Sequence, residues 1–208
     1  MAVESVWLDG DRVAGVQLAN GGARVRSDSV VVAAGAWSNG PMQGIGERLP
    51  LRPVKGQVVR LRGEPLIRHV VRTPDVYLVP REDGELLVEG TMEEQGFDGR
   101  STAGATMDLL REAWRVLPGV YDLAVAELSS GFRPALRDNL PAIGPVGPDG
   151  PNGLFLATGH YRHGILLAPA TARLLVEAIR TGSMPGQFAP FAPARLGPLI
   201  GLSNAGPS

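Results

Sequence analysis

Two short segments gather residue types that could do chemistry. The first is Gly153-Leu154-Phe155-Leu156-Ala157-Thr158-Gly159-His160-Tyr161-Arg162-His163-Gly164-Ile165-Leu166-Leu167-Ala168-Pro169. It begins as a short buried strand, passes through a glycine-bracketed turn carrying His160, Tyr161, Arg162 and His163, and then opens a helix. A helix N-terminus leaves N–H groups without intrahelical acceptors and carries partial positive charge, so it suits an anion or an electron-rich ligand atom. Four polar side chains crowded into one turn favour a site. A plain strand-turn-helix with surface polar residues accounts for the same pattern equally well. The second segment is Ser130-Gly131-Phe132-Arg133-Pro134-Ala135-Leu136. Arg133 stands between an aromatic residue and a proline, so its backbone is stiff, and a stiffly held guanidinium suits bidentate capture of a carboxylate. On sequence statistics alone, a structural or surface arginine is the commoner reading.

Several other chemistries are excluded. The Cys count is 0, which removes disulfides, thiolate metal sites, Fe–S clusters, a catalytic Cys and a flavin linked through Cys. The histidines are His69, His160 and His163, and the last two do not have the i, i+4 spacing of a helical zinc site, so no metal is expected. Nothing reads G-x-G-x-x-G after a strand, and there is no Walker loop. Gly44-Ile45-Gly46-Glu47-Arg48-Leu49 has two of the glycines, lacks the third, follows no strand and reads as a loop. Twenty basic residues (Lys+Arg 20) against 21 acidic ones give a net charge of -1, with no footprint for nucleic acid or a polybasic membrane contact. The apolar stretch 164–170 is far below the ~20 residues of a membrane helix. Residues 1–8 have no basic region leading into an apolar run. Together with the absence of Cys, this fits a cytoplasmic location.

These segments need elements to hold them. A chain of 208 residues is one ordinary domain or two small ones, and 44% hydrophobic with 20% charged residues allows a real core. Val3, Val6 and Leu8, a turn at Asp9-Gly10-Asp11, and Val13, Val16 and Leu18 predict strand, turn, strand, with a second turn at Asn20-Gly21-Gly22. The run Val30-Val31-Val32-Ala33-Ala34-Gly35 predicts a strand buried on both faces of a parallel or mixed sheet. Strands over 54–61, 75–80 and 85–90, with a hairpin turn at 81–84, suggest an antiparallel sheet. Met107, Leu110, Ala113, Trp114 and Leu117 give one amphipathic helix. Ala172, Leu175, Val176 and Ile179 give the buried stripe of a second, over about 165–180, ending at Gly182. Pro169 is tolerable only near that helix's first turn. Trp37 and Trp114 read as core, and Lys55 as strand surface. From Met184 onward the chain lacks a period and reads as loose at its end.

The residues also resemble a known family. The blocks Val30-Val31-Val32-Ala33-Ala34-Gly35-Ala36-Trp37-Ser38, Leu51-Arg52-Pro53-Val54-Lys55-Gly56-Gln57, Tyr77-Leu78-Val79-Pro80-Arg81, Gly90-Thr91-Met92, Gly131-Phe132-Arg133-Pro134 and 159–169 stand in family order over about residues 3–182. The sequence resembles the D-amino-acid-oxidase-like flavoproteins and, within them, the glycine oxidases of thiamine biosynthesis. Two departures stand out: His163 occupies a position where many relatives carry Asn or Asp, and the turn 144–153 is rich in Pro and Gly.

That resemblance implies a mixed α+β fold: the C-terminal part of a Rossmann-like FAD domain plus an antiparallel-sheet substrate domain, without the N-terminal dinucleotide-binding βαβ unit. The implied divisions are 1–40 for the FAD-domain remnant, 41–134 for the substrate domain, 135–183 for the return segment and 184–208 for the tail. It implies oxidation of the amine of a small amino acid to an imine, with O2 reduced to H2O2. Arg133 would hold the substrate carboxylate and Tyr77 would donate a hydrogen bond to it. His160, Tyr161, Arg162, His163, Gly164, Ile165 and Leu166 would line the flavin, and Val3 would make a backbone contact to it. The implied cofactor is non-covalent FAD, bound weakly or not at all by this chain alone, because the pyrophosphate cradle is not in the sequence. The implied partners are a small amino-acid substrate and either the missing N-terminal half or a second copy of the chain. The alternatives are a non-catalytic fragment or degenerate gene product without flavin, and a relative of D-amino-acid dehydrogenase or sarcosine oxidase.

Overall fold

A computed structural model describes residues 1–45, 48–147 and 150–197. Gly46 and Glu47 of the expected 44–49 loop lie outside the described residues, as do Pro148 and Asp149 of the 144–153 turn and residues 198–208 of the tail. The chain divides into two compact units, Pro53–Phe132 and the remainder on either side of it. The first boundary falls after Arg52 rather than after residue 40, because Met42 and Leu49 are buried in the core of the outer unit.

The outer unit opens with three antiparallel strands, β1 (Val3–Asp9), β2 (Arg12–Leu18) and β3 (Arg24–Arg26), in the order β1-β2-β3. Next come β4 (Val30–Val32), a 3₁₀ turn Gly35–Trp37 and the short helix α1 (Asn39–Met42). In this unit β4 joins a mixed sheet in the order β10-β11-β4, whose other strands are β10 (Ala142–Pro145) and β11 (Leu154–Thr158). Strand β11 runs parallel to β4 and antiparallel to β10.

Alternation explains why the β11 residues form a strand here. Leu154 and Leu156 enter one core with Val6, Val32, Met42 and Leu136, while Phe155 enters another with Leu174, Leu175 and Ala178 of the helix α3 (Gly164–Thr181). The expectation for β4 needs correction. It is shorter than predicted and forms an edge of its sheet, and Val31 is 38% exposed. A strand paired on one side only leaves part of its β-branched run uncovered.

Helix α3 ends on Gly182 at φ 73, the left-handed cap that glycine adopts without a Cβ penalty. Pro169 lies inside the helix, past its first turn, where it removes one backbone donor. The buried face is Thr171, Leu174, Leu175 and Ala178, not the predicted stripe; Val176 and Ile179 are exposed. Small Ala178 allows close approach to the sheet, whereas the β-branched pair falls on the outer side. The expected loose tail is also corrected as far as residue 197. Met184, Phe188 and Phe191 pack on the α3 core, and Arg195 pairs with Asp138 at 2.8 Å.

The inner unit is built on a sheet of β5 (Leu51–Arg62), β6 (Val71–Arg72), β7 (Tyr77–Pro80), β8 (Glu85–Glu89) and β9 (Ala124–Leu136), in the order β6-β7-β8-β5-β9. The first two residues of β5 and the last four of β9, Arg133 among them, belong to the outer unit. The helix α2 (Ala103–Val116) packs on this sheet through Leu109 and Ala113, beside Val59, Leu61, Val76, Leu78 and Val88. Met107 and Trp114 are exposed, Trp114 at 53%, and Trp37 of the outer unit is exposed at 56%, so neither tryptophan is core. Leu109 lies two residues from Met107, roughly opposite it on a helix, so only one of the two faces can meet the sheet. Trp114 instead lies against Tyr121, with ring centroids 6.5 Å apart. Lys55, read as strand surface, is fully buried. Among the described residues no helix is long and apolar enough to cross a membrane.

Candidate functional site

The polar turn after β11 is built by close constraint. Thr158 ends the strand, and its hydroxyl donates to the Gly35 carbonyl at 3.0 Å and accepts from the Ser38 hydroxyl at 2.8 Å, both side chains being buried. Gly159 follows at φ 77. Tyr161 adopts φ 51, and among the described residues it is the only non-glycine other than asparagine in the left-handed region. Such a conformation costs roughly 1–2 kcal/mol for an L-residue, so the surroundings must hold it. They do so from β9: the Tyr161 N–H donates to the Pro134 carbonyl at 2.8 Å, and Ala135 and His160 form an antiparallel bridge. Within the turn, the His163 N–H donates to the His160 carbonyl at 3.0 Å.

His160 is tied to α3 as well. Its Nε2 lies 2.9 Å from the hydroxyl of buried Thr171. Burial pushes the His160 imidazole below its ordinary value. Below about pH 6.5 the unfolded chain therefore binds more protons at this residue than the folded one. The His160 contribution to stability is complete above that pH and falls as the pH drops toward the folded value. The melting temperature is expected to decline between about pH 7 and about pH 5.5, and to decline less in a His160→Gln variant. Equal slopes in the two proteins would show that burial does not depress this imidazole. The Asp138 carboxyl, held low chiefly by its hydrogen bond from Arg195, loses its contribution only at more acidic pH.

Helix α3 then starts at Gly164. His163 occupies the capping position, but its side chain makes no cap hydrogen bond, and the Leu167 N–H closes the first turn on the His163 carbonyl at 2.9 Å. The N–H groups of Gly164, Ile165 and Leu166 thus have no intrahelical acceptor. Ile165 is 96% exposed and Leu166 77%, two apolar side chains presented beside those donors.

The structure brings together some of the predicted site residues. His160 to Leu166 form one continuous turn and helix start, bonded to the strand residues that directly follow Arg133. Arg133 itself is half-buried on β9. Val3 opens β1 opposite Leu18, in the other sheet of the unit. Tyr77 belongs to the inner unit: it opens β7 opposite Glu89, half-buried, with the Arg72 guanidinium 5.1 Å from its ring centroid. Sequence reasoning missed Thr171, Ser38 and Thr158. Thr171 was legible as a hydroxyl about two turns into the helix, directly after the apolar stretch 164–170, whereas the Ser38–Thr158 bond joins residues far apart in the chain and left no local signal.

Comparison with known proteins gives the family. The match to the family described as FAD dependent oxidoreductase extends over residues 1–178. The chain belongs to that family. It is 40% identical over 190 residues to glycine oxidase of Pseudomonas aeruginosa, covering 90% of this chain and 51% of that protein. It is 39% identical over 184 residues to the bifunctional protein ThiO/ThiG of a Nostoc species, covering 86% of this chain and 27% of that one. Among solved structures, glycine oxidase from Geobacillus kaustophilus superposes with a TM-score of 0.80 at 34% identity, over 93% of this chain and 51% of that one. The chain thus spans about half the length of the curated glycine oxidase it matches. Membership of this family makes FAD the relevant cofactor.

Proposed function

We propose that this chain forms the substrate-side part of an FAD-dependent oxidase acting on the amine of a small amino acid such as glycine. The substrate loses a hydride equivalent from its α-carbon and a proton from its nitrogen. Water hydrolyses the resulting imine to a 2-oxo acid and ammonia, and O2 takes up two electrons and two protons to become H2O2. The observation that carries this reading is the pairing of the 159–161 turn with Pro134 and Ala135, which joins the proposed flavin-side turn to the strand bearing Arg133. Kinship with glycine oxidases supports the substrate class.

FAD, when bound, supplies the two-electron acceptor. The rest falls to the side chains and backbone of the protein. Arg133 grips the substrate carboxylate with a bidentate fork, and Tyr77 donates a further hydrogen bond to it. The first-turn N–H groups of α3 offer donors to the electron-rich edge of the isoalloxazine. Ile165 and Leu166 offer an apolar surface for the flat ring, and His160, Tyr161, Arg162 and His163 complete the lining. These residues suit a flavin: donors without intrahelical acceptors sit beside uncovered apolar side chains on a turn whose backbone is fixed. Val3 is assigned a backbone contact to the same cofactor.

Affinity for a dinucleotide owes much to the pyrophosphate cradle, and no G-x-G-x-x-G occurs in these 208 residues. Titration of this chain with FAD is expected to give a Kd weaker than about 1 μM, or about −8 kcal/mol. Tighter binding would overturn that part of the proposal. Full activity then draws on a dinucleotide-binding segment outside these residues, in the same polypeptide or a second one. Amino-acid-dependent H2O2 release by the flavin-loaded protein tests the activity. A loaded protein that releases none with glycine, sarcosine or D-amino acids would be a non-catalytic member of the family.

A further inference from the structure

Among the described residues, Lys55 is the only charged side chain that is wholly buried. Its Nζ donates to the Arg100 carbonyl at 2.6 Å and lies 3.8 Å from Glu93 Oε2. Its backbone exchanges two hydrogen bonds with that of Glu93, at 2.9 and 3.0 Å. Gln57, two residues along β5, repeats the clamp. Its backbone N–H donates to the Thr91 hydroxyl at 2.7 Å, its side-chain amide donates to Glu93 Oε1 at 2.7 Å, and its Oε1 accepts from the Thr102 N–H at 2.8 Å. From β9 the Ser130 hydroxyl donates to the Gly99 carbonyl at 2.6 Å.

Every one of these bonds lands on residues 91–102, between the end of β8 and the start of α2. That segment has no strand ladder beyond the Lys55–Glu93 bridge, so side chains set its course. Burying an ammonium is unfavourable unless it is fully paired, so a lysine in this position is a poor choice for packing alone. The segment it holds carries Phe97, whose ring meets Phe132 edge-on with centroids 5.4 Å apart. Phe132 directly precedes Arg133 on β9.

We propose that Lys55 is a positioning residue for the carboxylate anchor: it fixes the 91–102 segment, whose Phe97–Phe132 contact sets the end of β9 from which Arg133 projects. The inference rests on the assignment of Arg133 made above. Loss of the ammonium leaves the Arg100 carbonyl without this donor and Glu93 without its counter-charge, though the Gln57 amide still donates to it, and the segment loosens. The substrate carboxylate then meets a less well placed guanidinium, an effect on binding more than on the chemical step.

The test uses Lys55→Met, Lys55→Arg and the double variant Lys55→Met/Glu93→Gln, with Arg133→Ala as a control. Amide exchange is followed in the full chain, and KM and kcat are measured in the flavin-loaded enzyme. In Lys55→Met, exchange over 94–101 is expected to rise about tenfold or more with α3 unchanged. KM for the amino acid should rise about tenfold while kcat stays within about threefold. Lys55→Arg should restore part of both. The double variant removes the carboxylate that has lost its counter-charge, so it should regain melting temperature without regaining slow exchange or low KM. It also decides the matter if Lys55→Met alone fails to fold. Wild-type exchange over 94–101 in either folded variant overturns the proposal. So does raised exchange with unchanged KM when Arg133→Ala raises KM. An unchanged KM in Arg133→Ala overturns instead the assignment on which the proposal rests.

Discussion

Replacing Arg133 with Ala in the flavin-loaded enzyme is expected to lower kcat/KM for the amino-acid substrate by about two to four decades, or roughly 3–5 kcal/mol. The size follows from what is left behind. A substrate carboxylate brought into a half-buried site without its guanidinium is a desolvated charge with no partner, and removing one member of such a pair costs more than the net worth of the pair. Arg133→Lys should recover only part of the loss, because an ammonium has no planar fork to match the two carboxylate oxygens. Tyr77→Phe should cost less, about 1–2 kcal/mol, as one hydrogen bond among several. Flavin content should stay the same in all three variants, since neither residue is assigned to the cofactor. Steady-state kinetics with flavin occupancy checked decides the point. Near-normal kcat/KM in Arg133→Ala, or loss of flavin in place of substrate affinity, would move the carboxylate role to Arg162, which stands exposed on the neighbouring turn.

Much of the frame was legible because it rests on local rules. The Asp-Gly and Asn-Gly turns fix the hairpins around β2, and β11 announces itself by a run of apolar residues that feeds two cores at once. The polar turn was legible as a cluster, since its residues are consecutive. Its rigidity was not, because the bonds that hold it come from Pro134, Ala135 and Thr171. The helix faces misled for a different reason. In α3 two overlapping stripes share Leu175: one carries Val176 and Ile179, the other Leu174 and Ala178. Hydropathy favours the first, yet the second is buried, since the small Ala178 admits the sheet. In α2 the same competition sets Met107 and Trp114 against Leu109 and Ala113. Lys55 shows the limit of pattern reading. A lysine on a strand is ordinarily solvated, and the acceptors that allow its burial, Glu93 and the Arg100 carbonyl, come from a segment without regular structure.

Gly159→Ala should be the most damaging small substitution at the polar turn, and its consequences should differ in kind from those of Arg133→Ala. At φ 77 an alanine would carry a left-handed penalty of roughly 1–2 kcal/mol. Its Cβ would also fall 2.5 Å from Leu136 Cδ1 and 2.7 Å from Leu136 Cγ. Leu136 cannot swing clear, because it is fully buried in the core that includes Met42, Leu154 and Leu156. Displacing a packed leucine costs about 1–3 kcal/mol more. The expected loss is therefore about 2–5 kcal/mol, or roughly 4–20 °C in melting temperature. Gly40→Ala is the control: its Cβ would meet nothing within 4 Å and its backbone is not left-handed, so its effect should stay within about 0.5 kcal/mol. Because residue 159 sets the backbone path into His160, Tyr161 and the start of α3, the flavin-loaded Gly159→Ala enzyme should lose cofactor before it loses substrate affinity. Arg133→Ala should do the reverse. Thermal melting and flavin occupancy measured on both variants separate the two roles. Wild-type melting in Gly159→Ala would mean that the turn relaxes at no cost, and full flavin retention with a lowered melting temperature would detach the turn from the cofactor.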